Sequence, residues 1–222
     1  AVKDGYPVKG GLLIARVWGD LQRIEQWSSD GDFVRVVPLP SSGIGLRDVA
    51  ASASSTTALI TYQGWTTPEK WITFDTTNGD VKTVFEVPPV GDFSDIVLTR
   101  TEAVSKDGTR VPIDVLHHKS VTPNSERPTI LYAYGGFGVL QQPKFLGSTL
   151  AWLERGGVYA VANIRGGGEF GEPWHQNGMK TRKQNVFDDF YACAVALEQA
   201  GWTNPDKLGI MGGSNGGLLV SA

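Results

Sequence analysis

Leu208-Gly209-Ile210-Met211-Gly212-Gly213-Ser214-Asn215-Gly216-Gly217-Leu218-Leu219-Val220 decides how this chain is read. Leu208 to Met211 has the composition of a short strand, and Leu218 to Val220 is an apolar stretch suited to opening a helix. Between them stands a serine with glycine two residues before it, Gly212, and two residues after it, Gly216. A sharp strand-to-helix turn lifts the central hydroxyl clear of the sheet, and side chains at the two flanking positions would collide with the adjoining strand and helix. Gly-x-Ser-x-Gly arises readily by chance in a chain with 28 glycines, so the strand before it and the helix after it carry the reading of a nucleophile elbow. Ser214 is then the candidate nucleophile, and the amide N–H of Asn215 the first candidate donor to an oxyanion.

Tyr134-Gly135-Gly136-Phe137-Gly138 follows a strand 80 residues before the serine, where hydrolases with this elbow carry their second oxyanion element. The Tyr134 phenol is a legitimate donor there; the competing reading makes the glycines a tight turn and Tyr134 a core aromatic. Arg165-Gly166-Gly167-Gly168-Glu169-Phe170-Gly171 contains a G-x-G-x-x-G string after a strand. Pro173 follows too closely to leave a clean helix start for a pyrophosphate, and no acidic residue ends a following strand, so it reads as a tight loop at the site rim. His117 and His118 are adjacent on a strand and point to opposite faces, a poor metal pair best read as edge or surface histidines. With His175 they all precede Ser214, whereas the order in this fold is Ser, then Asp or Glu, then His. No cofactor and no metal site is expected.

Around these motifs strands and helices alternate. Ile96 to Val104 and Val111 to His117 flank Lys106-Asp107-Gly108-Thr109 as an antiparallel hairpin. Thr129 to Ala133 and Val158 to Ile164 read as buried strands, and Phe145 to Arg155 as a helix stopped by Gly156. Asn185 is positioned to cap the next helix, with Asp188 and Asp189 in its first turn, Phe187, Phe190, Ala194 and Leu197 on one face, and Gly201 at its end. Strands alternating with helices predict a parallel sheet.

Before Pro88-Pro89-Val90-Gly91 the pattern is all-β. Strand-like runs at Leu12–Trp18, Gln22–Trp27 and Phe33–Val37 recur as Ala58–Tyr62, Lys70–Phe74 and Val81–Phe85, with turns at Ser28-Ser29-Asp30-Gly31 and Thr76-Thr77-Asn78-Gly79. Leu12 aligns with Ala58 and Ser28 with Thr76, offsets of 46 and 48 residues, the period of propeller blades. Two blades do not close a ring, which takes roughly 4–8. The expected fold is therefore an α/β-hydrolase, partial and built on a parallel-sheet core, preceded by the last blades of an all-β propeller. The expected domains are 1–90 and 91–222.

A net charge of −3 offers nucleic acid no basic surface, and no apolar run approaches the roughly 18 residues of a membrane span. Residues 1–5 lack the features of a signal peptide. Cys193, alone, excludes an internal disulfide and a cysteine-rich metal site, and reads as a buried thiol. These readings imply a soluble protein, cytoplasmic or periplasmic, the sequence not choosing between the two.

Ser105 to Thr109 with Pro112, Tyr134 to Phe137, Asn163 to Glu169 with Gly171 and Trp174, Lys183-Gln184-Asn185 with Phe187 to Phe190, and Gly212 to Leu219 together resemble the prolyl oligopeptidase family. The resemblance implies a propeller covering an α/β-hydrolase domain and cleavage of short peptides on the C-terminal side of proline through an acyl-enzyme. It implies Ser214 as nucleophile, Tyr134 and the Asn215 amide as oxyanion hole, Phe137 as a wall of the proline pocket, and the propeller as a size filter. The family's catalytic Asp and His follow the elbow and its early blades precede the first half, so the chain is expected to be an internal stretch of a longer enzyme, inactive alone, with the rest of that polypeptide as partner. The alternatives are a related oligopeptidase or esterase of the same fold, and a non-catalytic propeller binding module.

Overall fold

The apolar alternation of the first half resolves into two four-stranded antiparallel sheets in a computed structural model that describes residues 2–19, 21–40 and 43–222. The first sheet is β1 (Val2–Val8), β2 (Gly11–Trp18), β3 (Leu21–Ser28) and β4 (Phe33–Val36), in that spatial order. The second is β5 (Ile44–Ala50), β6 (Thr57–Gly64), β7 (Lys70–Asp75) and β8 (Val81–Glu86), again in order. Their inward positions, among them Leu13, Ile24, Ile60, Ile72 and Phe74, are buried and form one core. The repeat extends to detail. In each sheet a tryptophan of the third strand meets a phenylalanine of the fourth edge-on, Trp27 with Phe33 at 5.7 Å and Trp71 with Phe85 at 5.8 Å between ring centres. Each tryptophan also donates its indole N–H to a glutamate two residues earlier, Glu25 and Glu69. Each sheet is thus one blade, and β1 and β5 are strands that the sequence reading lacks. β1 carries Gly5 and Pro7, and β5 has a bulge between Leu46 and Asp48, so neither keeps a clean alternation.

The second half builds a five-stranded mixed sheet from β9 (Ile96–Val104), β10 (Arg110–His118), β11 (Thr129–Tyr132), β12 (Val158–Ala162) and β13 (Leu208–Met211), in the order β13-β11-β12-β10-β9. The β9–β10 hairpin is antiparallel and joins β12 antiparallel, whereas β12, β11 and β13 run parallel. Four helices accompany it: α1 (Leu150–Leu153), α2 (Glu172–Gln176), α3 (Gln184–Gln199) and α4 (Asn215–Ser221). All five residues of β12 are buried, as the central position of such a sheet demands. Val186, Phe190, Cys193 and Leu197 of α3 close the core over β9 and β10, with Phe187 and Ala194 packed at its margin.

By compactness the chain divides into two units, Ala1–Val90 with Gln142–Gly147, and Gly91–Gln141 with Ser148–Ala222. That division explains one departure from the sequence reading. The helix expected over Phe145–Arg155 is only a 3₁₀ turn, Gly147–Thr149, followed by α1. The Leu146 N–H donates to the Trp65 carbonyl and the Phe145 N–H to Gln63 Oε1, so the start of the apolar stretch is committed to the blades. Two further corrections concern α3. Its N-cap is Lys183, and Asn185 lies inside the helix, where its amide donates to the Asn177 carbonyl. Asp188 and Asp189 therefore lie two residues further in than expected, beyond the first turn, and Asp189 is fully buried, so an ion pair rather than the helix dipole accounts for it. His117, expected at the surface or edge, is buried against Trp202, with its ring nitrogens facing Thr99 Oγ1 and the His118 carbonyl. Cys193 is buried, and burial raises its thiol pKa.

Candidate active site

Ser214 sits between β13 and α4 with φ 54° and ψ −117°, a backbone conformation that residues bearing a β-carbon rarely adopt. The flanking glycines are required by space. A β-carbon on Gly216 would stand 2.6 Å from the Ala133 carbonyl oxygen, and one on Gly212 would run into the backbone of Gly216 itself. The strand end, the turn and the helix start therefore approach more closely than any side chain permits. Ser214 is exposed, and its hydroxyl makes no capping bond to α4. The N–H groups of Gly216, Gly217 and Leu218 are taken up by the turn, whereas the Asn215 N–H has no hydrogen-bond partner among the described residues.

The loop after β11 is brought to this turn by the Asn215 side chain. Its Nδ2 donates to the Tyr134 carbonyl at 2.5 Å, and the amide packs on Gly136, where a β-carbon would lie 2.5 Å from the same nitrogen. Lys183 Nζ donates to the Gly135 carbonyl at 2.8 Å and to Asn215 Oδ1 at 3.3 Å. Burial lowers the Lys183 pKa. Tyr134 is half-buried, neither the closed core aromatic of the competing reading nor a free surface ring. Phe137, two residues past Gly135, holds a positive φ of 56° and is 77% exposed, so the loop presents a bare aromatic face to solvent.

The Arg165–Gly171 loop packs against the Tyr134 loop. Gly138 N–H donates to the Gly166 carbonyl at 2.9 Å, and a β-carbon on Gly166 would stand 2.6 Å from the Gly135 carbonyl oxygen. The glycine run thus serves the close approach of two loops. Arg165 anchors its start. The buried guanidinium pairs with the buried Asp189 of α3 through Nε and Nη2, and with Asp107 in the β9–β10 turn. Hydrogen bonds from Arg165 hold the Asp107 carboxyl well below its usual range; burial disfavours the guanidinium charge, but the two carboxylates outweigh it and raise its pKa. Glu169 is buried too, accepts the Gln141 N–H at 2.8 Å through Oε1, and has its pKa raised by burial to about 7. Neither role is visible in local sequence, because the partners lie 24 to 58 residues away. His175, in α2, has its ring beside Gly138 and its Nδ1 3.5 Å from Glu172. Among the described residues no group of three or more His, Cys, Asp or Glu is placed to hold a metal, and no helix is long and apolar enough to cross a membrane.

A strained serine at a strand–helix junction, in a sheet preceded by two four-stranded blades, defines the class: an α/β-hydrolase fold following propeller blades. Residues 143–222 match the prolyl oligopeptidase family. The chain is 35% identical over 215 residues to a prolyl endopeptidase of Elizabethkingia meningoseptica, covering 96% of this chain and 30% of that protein. It is 50% identical over 119 residues to prolyl oligopeptidase A of Galerina marginata, covering 53% of this chain and 16% of that one. Among solved structures, one from a study of two prolyl endopeptidases superposes with a TM-score of 0.94 at 37% identity over 99% of this chain and 32% of the other. Prolyl oligopeptidase B of Galerina marginata, bound to a 25mer macrocyclization substrate, superposes at 0.92 and 31% identity over 99% of this chain and 31% of the other. The chain is similar to prolyl oligopeptidase family proteins, and it spans about 30% of the length of the curated relatives it matches first.

Proposed function

We propose that this chain carries the nucleophile and oxyanion site of a serine endopeptidase that cleaves short peptides after proline. The observation that carries the reading is Ser214, uncapped and exposed at φ 54°, between two glycines that no other residue can replace. Ser214 Oγ attacks the carbonyl carbon of a prolyl residue and loses its proton to a general base. The carbonyl oxygen becomes an oxyanion that accepts hydrogen bonds from the Asn215 N–H and the Tyr134 O–H. Collapse of the tetrahedral intermediate expels the amine with that proton, leaving a prolyl ester on Ser214, which water then hydrolyses by the same steps. Phe137, exposed on the loop that carries Tyr134, supplies an apolar face for the proline ring.

In the chain order of this fold the base follows the nucleophile. The three histidines of this chain all precede it, and His117 is buried with both ring nitrogens engaged. The base is therefore assigned to the longer polypeptide, as are the remaining blades, while residues 1–90 form two blades and 91–222 the first part of the catalytic domain. Substrate class comes from the relatives, which are named prolyl endopeptidases and oligopeptidases.

The test uses the whole protein that contains this segment. Release of a chromophore from a proline-terminated peptide is expected, with little turnover of a simple aryl ester, and Ser214→Ala is expected to abolish it. Equal turnover by Ser214→Ala would end the serine mechanism, and ester cleavage far above peptide cleavage would point to an esterase.

A further inference from the structure

Lys183 occupies a place that costs stability and is nonetheless filled. It is the N-cap of α3 and makes no capping bond, so a cation sits at the positive end of a 16-residue helix. Its ammonium is also partly withdrawn from water, and burial lowers its pKa. Two hydrogen bonds offset this, and both lead to the site: Gly135 O at 2.8 Å and Asn215 Oδ1 at 3.3 Å. Asn215 completes the circuit by donating Nδ2 to Tyr134 O. The consecutive carbonyls of Tyr134 and Gly135 are each held by one donor, and those two donors are bonded to each other. Three chain segments meet there: the residue before α3, the loop after β11, and the first residue of α4. Little slack remains, since the Asn215 amide is packed on Gly136 and Gly135 adopts φ 60° with Ile164 and Val186 filling the space where a β-carbon would stand.

We propose that Lys183 is a positioning residue that sets the Tyr134 phenol and the Asn215 N–H relative to each other. The inference rests on the reading of Ser214 as nucleophile. Lys183 touches no reacting atom; it acts through the peptide units of Tyr134 and Gly135 and the Asn215 side chain. Oxyanion donors contribute most when held in place before reaction, and a displacement of about 1 Å in such a site costs up to about 100-fold in rate.

The whole protein is tested as Lys183→Met, which keeps the apolar stem and removes the donor, and Lys183→Arg, which restores a donor of similar reach. The readouts are kcat and KM on a proline-containing peptide, and inhibition by a peptide aldehyde whose tetrahedral adduct places its oxygen in the oxyanion site. Lys183→Met is expected to lower kcat by about 10- to 100-fold, weaken the aldehyde by a matching factor and leave KM nearly unchanged. Lys183→Arg should recover part of both losses. Asn215→Ala combined with Lys183→Met should lose less than the product of the single effects, because both belong to one network. Wild-type kcat and aldehyde affinity in folded Lys183→Met would overturn the proposal. So would a protein that fails to fold as both Lys183→Met and Lys183→Gln, since the lysine would then be a stability element. Activity persisting in Ser214→Ala would instead remove the underlying serine reading, an outcome distinct from either.

Discussion

Ser214 holds a conformation that costs a residue with a β-carbon about 1–3 kcal/mol, and the surroundings impose it through the two glycines and the Ala133 carbonyl that Gly216 approaches. Strain of this kind directs a hydroxyl outward and leaves the adjacent amide unpaired. If the Tyr134 phenol completes the oxyanion site, Tyr134→Phe in the whole protein lowers kcat by about 10²–10³ with KM nearly unchanged, measured by steady-state kinetics on a proline peptide. Glu169 gives a second prediction at this scale. Burial raises its pKa from 4.5 to about 7, so the native state holds its proton more tightly than the unfolded chain does. Below pH 4.5 both states are protonated and the shift has no effect. Between pH 4.5 and 7 the unfolded chain releases its proton first, so stability falls as pH rises, by about 3 kcal/mol in all at 1.36 kcal/mol per unit. Glu169→Gln, which retains an acceptor for the Gln141 N–H, should therefore melt progressively higher than wild type as pH is raised from 4.5 to 8. A gap that does not change with pH would contradict the shift.

At the scale of elements, Arg165 ties the end of β12 to α3 and to the β9–β10 turn, and so sets the floor on which the two glycine loops meet. Removing the guanidinium leaves Asp189 fully buried and uncompensated. Arg165→Met is expected to destabilise the unit containing the sheet by about 3–5 kcal/mol, read as a lowered melting temperature, with activity lost alongside it. What the sequence discloses of these elements follows a physical divide. The elbow, the Lys106–Thr109 hairpin turn and the blade turns rest on local backbone demands, which glycine, asparagine and aspartate signal within a few residues. The second to fourth strands of each blade show as β-rich runs between turn signals, whereas β1 and β5 carry breaks that hide them. The α3 boundary was legible only approximately, since Asn185 has cap chemistry but donates to Asn177 instead. The short α1 depended on the blades claiming Phe145 and Leu146. Motif and resemblance name Ser214, Asn215, Tyr134 and Phe137 as site candidates. Lys183, Arg165 and Glu169 act through contacts 24 to 58 residues distant, which no local pattern encodes.

At the scale of the molecule, two units each carry their own core, one of blades and one of mixed sheet with helices, and the whole covers about 30% of the related prolyl endopeptidases. The proposed division of labour places nucleophile and oxyanion donors here and the general base elsewhere in the longer polypeptide. The 222-residue chain produced alone is accordingly expected to release no product from a proline peptide under conditions where the whole protein does; measurable turnover by the isolated chain would place a base among His117, His118 and His175. Treating the whole protein with a fluorophosphonate and mapping the adduct by peptide mass spectrometry identifies the nucleophile itself. A single phosphonyl adduct on Ser214, formed in step with loss of peptidase activity, is expected; inactivation with the adduct on another residue, or full activity with Ser214 modified, would exclude Ser214 as the nucleophile.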